Sequence, residues 1–339
     1  MRFGHSEACL AHDTGDRHPE TADRIRAIRR ALAKRHGVSY VEADPATEST
    51  VAAVHASDYV DKIRSFCADG GGNWDPDTVA STDTWDAARA SAGLAEWAAR
   101  EAATGADGRD TPFAVGRPPG HHAVADDAMG FCFVNNAAVA VQSVLDDPAI
   151  DVDRAVIFDW DVHHGNGTQD IFYDDDDVFY ASIHEEGLYP GTGAAEETGA
   201  GAGEGTTLNV PLPAGAGDPE FLLVVEALVR PAIERFDPDL FVVSAGFDAH
   251  RHDPISRMRV STEGYALLTD RVRSLVTDVG AGLAFVLEGG YGLDTLSEGV
   301  AMVHETFDGR PPMEPDDDPD EGTRELVAEL RGLHDVDEP

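Results

Sequence analysis

Residues 155–170 read AVIFDWDVHHGNGTQD. Four apolar residues give way without a break to acids, histidines and glycines. An apolar run with no polar alternation is what a parallel strand buried on both faces carries. The abrupt change marks its carboxyl end, and in open parallel sheets ligands bind beyond the carboxyl ends of the strands. Three other stretches are built the same way: TPFAV into GRPPGHHA (111–123), LFVVS into AGFDAH (240–250) and LAFVL into EGGY (283–291). Their loops are expected to gather His121 and His122, Asp159, Asp161, His163 and His164, Asp248 and His250, and Glu288 and Tyr291 at one sheet edge.

Working outward, further strands are predicted at 178–182 and 207–210, and helices over 20–36, 84–103, 135–145, 219–236 and 261–279. Strands alternating with helices specify an α/β fold, a central mostly parallel sheet with helices on both faces. Residues 187–217 hold nine glycines, too many for a packed helix, and read as a structured rim loop with the strand-like piece TTLNVPL. One catalytic domain is assigned to 1–310. An acidic tail is assigned to 311–339, in which Leu326, Leu330 and Leu333 suggest a short docked helix.

The chain has 64 acidic residues against 25 lysines and arginines, a formal charge of −39. Neutralising phosphates takes clustered cations, so direct nucleic-acid binding is not expected. No apolar run approaches the roughly 20 residues of a spanning helix, and the first residues lack a signal-peptide pattern. Lys34 and Lys62 are the only lysines. Such a surface repels itself in dilute buffer and is relieved by concentrated salt, which suggests the protein of a halophile. Cys9, Cys67 and Cys132 form no CxxC pair and read as reduced thiols in a cytoplasm. The oligomeric state is not legible.

Asp161 and His163 are two residues apart and point the same way in an extended segment. A carboxylate and an imidazole on one side can chelate a divalent metal, with Asp248 as the natural third ligand. Three protein ligands leave a coordination position for water, the catalytic arrangement of zinc. The oxygen-rich set also suits iron(II), cobalt or manganese. A single Asp after a strand is often only a cap; three beside two His pairs are harder to explain so. His121 and His122 follow a Pro-Pro-Gly turn and suit acid and base, with Asp159 and Asn166 near enough to fix their tautomers. Tyr291, after two glycines, could donate to a developing oxyanion.

RPPGHHA, GFCFVNNAA, DWDVHHGNGTQDIF, SIHEEGLYPGTG, SAGFDAHRHDP and LEGGYG occur in that order, after HPETADR. Together they resemble the zinc-dependent histone deacetylase superfamily, most of all its class II and prokaryotic, acetoin-utilisation-like branch. The resemblance implies a single-domain arginase/deacetylase-like fold. It implies a zinc ion on Asp161, His163 and Asp248, and tandem His121 and His122 backed by Asp159 and Asn166. Tyr291 would be the electrophilic tyrosine. Gly130, Phe131, Tyr189 and Ile255 would line the acyl-lysine tunnel, with Asp75 or Asp77 as a rim carboxylate. Structural potassium would be held around Asp159, Asp161, His163 and Ser182, with a second site near Phe172 and Val178. The implied reaction is removal of acetyl groups from lysine side chains of proteins. Acetylpolyamines or other small acetylated amines are the alternative, and the apolar Ile255 argues against a polyamine. A non-catalytic acyl-lysine-binding protein and a two-metal ureohydrolase-like enzyme are weaker readings.

Overall fold

The computed structural model describes residues 1–334. In chain order its strands are β1 (Arg2–Gly4), β2 (Ser39–Val41), β3 (Gly72–Asn73), β4 (Val79–Ala80), β5 (Pro112–Ala114), β6 (Ala155–Asp159), β7 (Val178–Glu185), β8 (Thr207–Leu212), β9 (Leu240–Ala245) and β10 (Gly282–Leu287). Eight of them form one sheet in the order β2-β1-β5-β10-β9-β6-β7-β8, and every pairing in it is parallel. β3 and β4 form a separate antiparallel pair. The strands that run into the polar loops, β5, β10, β9 and β6, are the four contiguous central strands.

Strand alternation sorts the core into two layers. Phe3, Phe113, Phe285, Phe241 and Phe158 fill one face, and Ala114, Val286, Val242 and Ile157 the other. Phe113 stacks between Phe3 and Phe285, with ring centroids 5.8 and 5.5 Å apart. Each buried Phe contributes about 1.5–3 kcal/mol. The face with smaller side chains takes the alanine-rich helix Thr84–Ala103, whose methyl groups let helix and sheet approach closely. Local signals set the helix ends. The Asn135 side chain accepts from Ala138 N–H at the start of Asn136–Leu145, and Ser261 does the same from Gly264 for Thr262–Val279. Gly280, left-handed at φ 78°, ends that second helix just before β10.

Three expectations need correction. The helix over 219–236 is Asp218–Val224, a π-helical turn at Val225–Val229, and Arg230–Phe236. The helix Glu321–Leu333 packs over that turn, and Arg331 Nε donates to Ala227 O at 3.2 Å. That terminal helix does exist, but it buries Thr323, Val327 and Leu330, while Leu333 is 45% exposed. Residues 335–339 of the predicted tail lie outside the described residues. β1 and β2, the hairpin β3–β4, and the helices Ser57–Ala68 and Leu293–Phe307 are additional to the elements expected. Among the described residues no helix is long and apolar enough to cross a membrane.

Candidate active site

The loop after β6 folds back on its own carboxylates. Asp161 N–H donates to Asp159 Oδ1 (3.0 Å), and His163 N–H to Asp161 Oδ1 (2.9 Å). Asp248, after β9, accepts from Val162 N–H through Oδ1 at 3.0 Å. Asp161 Oδ2 accepts from Gly289 N–H, after β10, at 2.7 Å. Asp161 and Asp248 thus each have one oxygen held by a neighbouring loop. His163 Nδ1 lies 3.0 Å from Asp161 Oδ1 and 3.3 Å from Asp248 Oδ2. The three side chains bring their ligand atoms within 4.8 Å of one another. Asp248 Oδ2 is buried yet makes no hydrogen bond, and an orphaned buried carboxylate oxygen is costly. A Cβ on Gly289 would stand 2.1 Å from that oxygen and 2.5 Å from Asp161 Oδ2, so the space is kept open by a glycine. Two carboxylates, one imidazole and an orphaned oxygen fit a divalent cation.

The two histidines of the β5 loop lie side by side, ring centroids 4.0 Å apart. His121 Nδ1 is 2.9 Å from Asp159 Oδ2, and His122 Nδ1 2.8 Å from Asn166 Oδ1. The Asn166 amide nitrogen donates to His122 O (3.3 Å), which leaves its oxygen to accept from His122 Nδ1–H and frees His122 Nε2 as a base. The pair is electrically split. Burial lowers His121, but the charges of Asp159 and Asp161 overcome this and push it up to about 10. Burial, then the charges of His121 and His163, hold His122 well below the usual imidazole range. The surroundings thus favour the cationic form of His121 and the neutral form of His122.

Tyr291 follows the glycine turn after β10. Its N–H and that of Gly292 donate to Asp253 Oδ2 at 2.7 and 2.9 Å. Burial raises its phenol well above the ordinary value, so it remains a neutral donor. The Arg24 guanidinium lies 5.0 Å from the centre of its ring, and Arg24 donates to Gly290 O (2.7 Å) and to Glu288 O. Behind it, fully buried Glu20 binds Arg117 (2.6 and 2.8 Å) and Arg24 (3.2 Å). Burial would raise Glu20, but Arg117 and Arg24 hold it at about 2. Arg117 also donates to Cys9 O and His12 O. Glu288 accepts from Gly120 and His121 N–H at 2.7 and 3.2 Å and so fixes the tandem histidines from below. These supporting ion pairs were not read from the sequence. Glu20 and Arg117 are 97 positions apart, too far for any local spacing to pair them.

Gly130 and Phe131 are both left-handed, at φ 56° and 69°. A Cβ on Gly130 would fall 2.4 Å from the His122 ring. The Phe131 ring meets Tyr291 edge-on at 5.8 Å, and Tyr189 meets His122 edge-on at 5.1 Å, so both aromatics flank the site. Ile255 lies on the loop after Asp248, its N–H bonded to Asp253 Oδ1 (3.2 Å). Asp75 is taken up by its own turn, accepting from Thr78 and Asp77. Ser182 stands opposite Asp159 in the β6–β7 register, with its hydroxyl 3.0 Å from His184 Nδ1. Phe172 ends the helix Asn166–Phe172, and Val178 begins β7, four positions before Ser182. His164 bonds Thr192 and Gln169 (2.8 and 2.9 Å), and His250 bonds Thr262 (3.1 Å); neither joins the Asp161 cluster.

The family model described as histone deacetylase domain matches residues 18–307. The chain is 37% identical over 365 residues to "Histone deacetylase 10, chloroplastic" of Oryza sativa subsp. japonica, covering 98% of this chain and 82% of the relative. It is 38% identical to a "Histone deacetylase-like amidohydrolase" of Pseudomonas aeruginosa, covering 80% of this chain and 71% of the relative. It is 39% identical to a "Probable deacetylase" of Methanothermobacter thermautotrophicus, covering 92% of each. The crystal structure of the HDA15 HD domain superposes with TM-score 0.89 at 36% identity, over 98% of this chain and 93% of that one.

Proposed function

The chain belongs to the histone deacetylase family and has the arginase/deacetylase fold, and from that premise we propose that it removes acetyl groups from lysine side chains of proteins. The observation that carries this reading is the side-by-side pair His121 and His122, backed by Asp159 and Asn166, next to the Asp161–His163–Asp248 cluster. In this reading those three residues hold a divalent ion, and zinc fits the one-imidazole, two-carboxylate set. Such an ion would polarise the amide carbonyl and acidify a water.

The chain's own groups do the rest. Phe131 and Tyr189 wall the apolar stem of the acetylated lysine, and Gly130 lets it pass close to His122. His122 Nε2, unprotonated and aimed by Asn166, takes the water proton. The Tyr291 hydroxyl donates to the oxyanion that develops on the carbonyl oxygen. The proton on His122 then passes to the leaving amine, while His121, held cationic by Asp159, adds a fixed positive charge. Acetate and a free lysine amine result. Asp159 and Ser182 are assigned to a structural potassium ion, with a second near Phe172 and Val178, and residues 1–310 to the catalytic unit. The apolar Ile255 offers a second ammonium no partner, which favours acetyl-lysine over an acetylpolyamine.

The test is acetate release from an acetyl-lysine peptide and from a panel of small acetylated amines, with the protein folded in potassium chloride. A higher kcat/KM on the peptide is expected. Release from the small amines alone would overturn the substrate assignment.

A further inference from the structure

The backbone of Phe131 is in a conformation that its side chain disfavours. Met129 and Cys132 exchange backbone hydrogen bonds at 3.1 and 2.9 Å, so Gly130 and Phe131 are the two central residues of a tight turn. Both are left-handed, at φ 56° and 69°, as the central residues of a type I′ turn are. Glycine, asparagine and aspartate suit such positions. A bulkier residue persists there only where its surroundings over-determine it. The bonds that close the turn do not use the Phe131 N–H, so its hold comes from outside the turn.

The hairpin β3–β4 supplies that hold. Phe131 N–H donates to Thr78 Oγ1 at 3.2 Å. Thr78 is fully buried. Its hydroxyl donates to Asp75 Oδ2 (3.0 Å), its N–H to Asp75 Oδ1 (2.5 Å), and its carbonyl accepts from Trp74 N–H (2.8 Å). With the hydroxyl proton committed to Asp75, the oxygen has a lone pair to offer Phe131. The Phe131 ring is held as well, since His18 meets it edge-on at 4.6 Å. His18 Nδ1 accepts from Glu20 N–H (3.1 Å), which leaves Nε2–H to donate to Asp77 O (2.8 Å). One imidazole thus ties the hairpin to the segment before the helix Ala22–Leu32 and packs on the aromatic wall.

We propose that Thr78 is a positioning residue whose hydroxyl, oriented by Asp75, holds Phe131 left-handed and so sets the wall against which the acetylated side chain binds. The proposal rests on the acetyl-lysine reading above and adds the group that fixes one side of its binding site. Thr78 acts through Phe131 and not on the reacting atoms. Tyr291 is clamped separately by Asp253, and His122 by Asn166. Losing the hydroxyl therefore weakens substrate binding and leaves the chemical step in place. Valine matches threonine in shape but offers no acceptor, so Thr78→Val leaves both Phe131 N–H and Asp75 Oδ2 without this partner.

The test compares KM and kcat for acetate release from an acetyl-lysine peptide, in potassium chloride where each variant is folded and metal-loaded. Thr78→Val should raise KM roughly tenfold, the effect of one lost hydrogen bond, with kcat little changed. Thr78→Ser, which keeps the hydroxyl, should restore the wild-type KM. Thr78→Ala serves as the second hydroxyl-free variant should Thr78→Val not fold. On a Phe131→Ala background, where no wall is left to position, Thr78→Val should add nothing further, the non-additivity of two residues acting as one. An unchanged KM in the hydroxyl-free variants, a fall in kcat alone, an equal rise in Thr78→Ser, or a full further rise on the Phe131→Ala background would overturn the role of Thr78. Peptide turnover with any of those results leaves the acetyl-lysine reading standing. If the wild type releases acetate only from small acetylated amines, that reading fails, and the same KM comparison on the amine turned over decides Thr78. If it releases none, the dissociation constant of a labelled acetyl-lysine peptide, read by anisotropy, takes the place of KM, and a hydroxyl-dependent rise upholds the positioning role.

Discussion

At Tyr291 a neutral phenol stands over the guanidinium of Arg24, its backbone clamped by Asp253. A phenol fixed in this way is suited to donate one hydrogen bond to an oxyanion and to little else. Tyr291→Phe should therefore lower turnover by roughly 10²–10³ while metal content and circular dichroism stay as in the wild type; full activity would remove Tyr291 from the reaction. Asp161→Ala strips the cluster of the carboxylate that touches both Gly289 and His163. Metal content and acetate release should fall together, and a variant that keeps its metal would reject this ligand. Asp-x-His spacing and doubled histidines are visible in the chain because neighbours in sequence share the work. The Glu20–Arg117–Arg24 ion pairs that support Tyr291 are not, since partners far apart in sequence leave no spacing to read.

Elements meet the site through buried polar joints. His55, just before the helix Ser57–Ala68, has Nδ1 3.0 Å from Val124 O and accepts Asn135 N–H on Nε2 at 2.9 Å. It thereby ties the loop 123–135 to the start of Asn136–Leu145. An imidazole that accepts on one nitrogen must be neutral, and burial lowers its pKa to about 4 from 6.5. The unfolded chain takes up that proton more readily. The contribution of His55 is thus complete above about pH 6.5 and lost as pH falls toward 4. His55→Gln should be destabilised at pH 7.5 by about 1–3 kcal/mol, with the gap to wild type closing between pH 6.5 and 4.5 in denaturant melts; a constant gap would show that His55 does not act as a neutral link. The same scale shows what the chain discloses of its fold. The central strands are apolar on both faces and stand out. β1 and β2 are three residues each, with Arg2 and Ser39 at their starts, and such short mixed pieces look like loop. The helix Leu293–Phe307 carries Leu296, Val300, Val303 and Phe307 at helical spacing, so it is legible, although the glycine turn just before it reads as the end of the regular structure.

For the whole molecule, charge and metal decide. At −39, the folded chain should gain stability as potassium chloride rises from dilute to molar concentrations, because screening removes its self-repulsion. A melting temperature as high in dilute buffer as in molar salt would reject a halophilic origin for this surface. The parallel sheet places four motif loops at its central edge, and that placement matters only if the buried cluster binds a cation that the reaction needs. The most direct measurement is acetate release during titration of a divalent metal into chelator-stripped, folded protein. The stripped protein should release none, and release should then rise and level off at one metal per chain, matching the single buried Asp161–His163–Asp248 cluster among the described residues. Full release after stripping, or a plateau at two metals, would contradict a one-metal deacetylase.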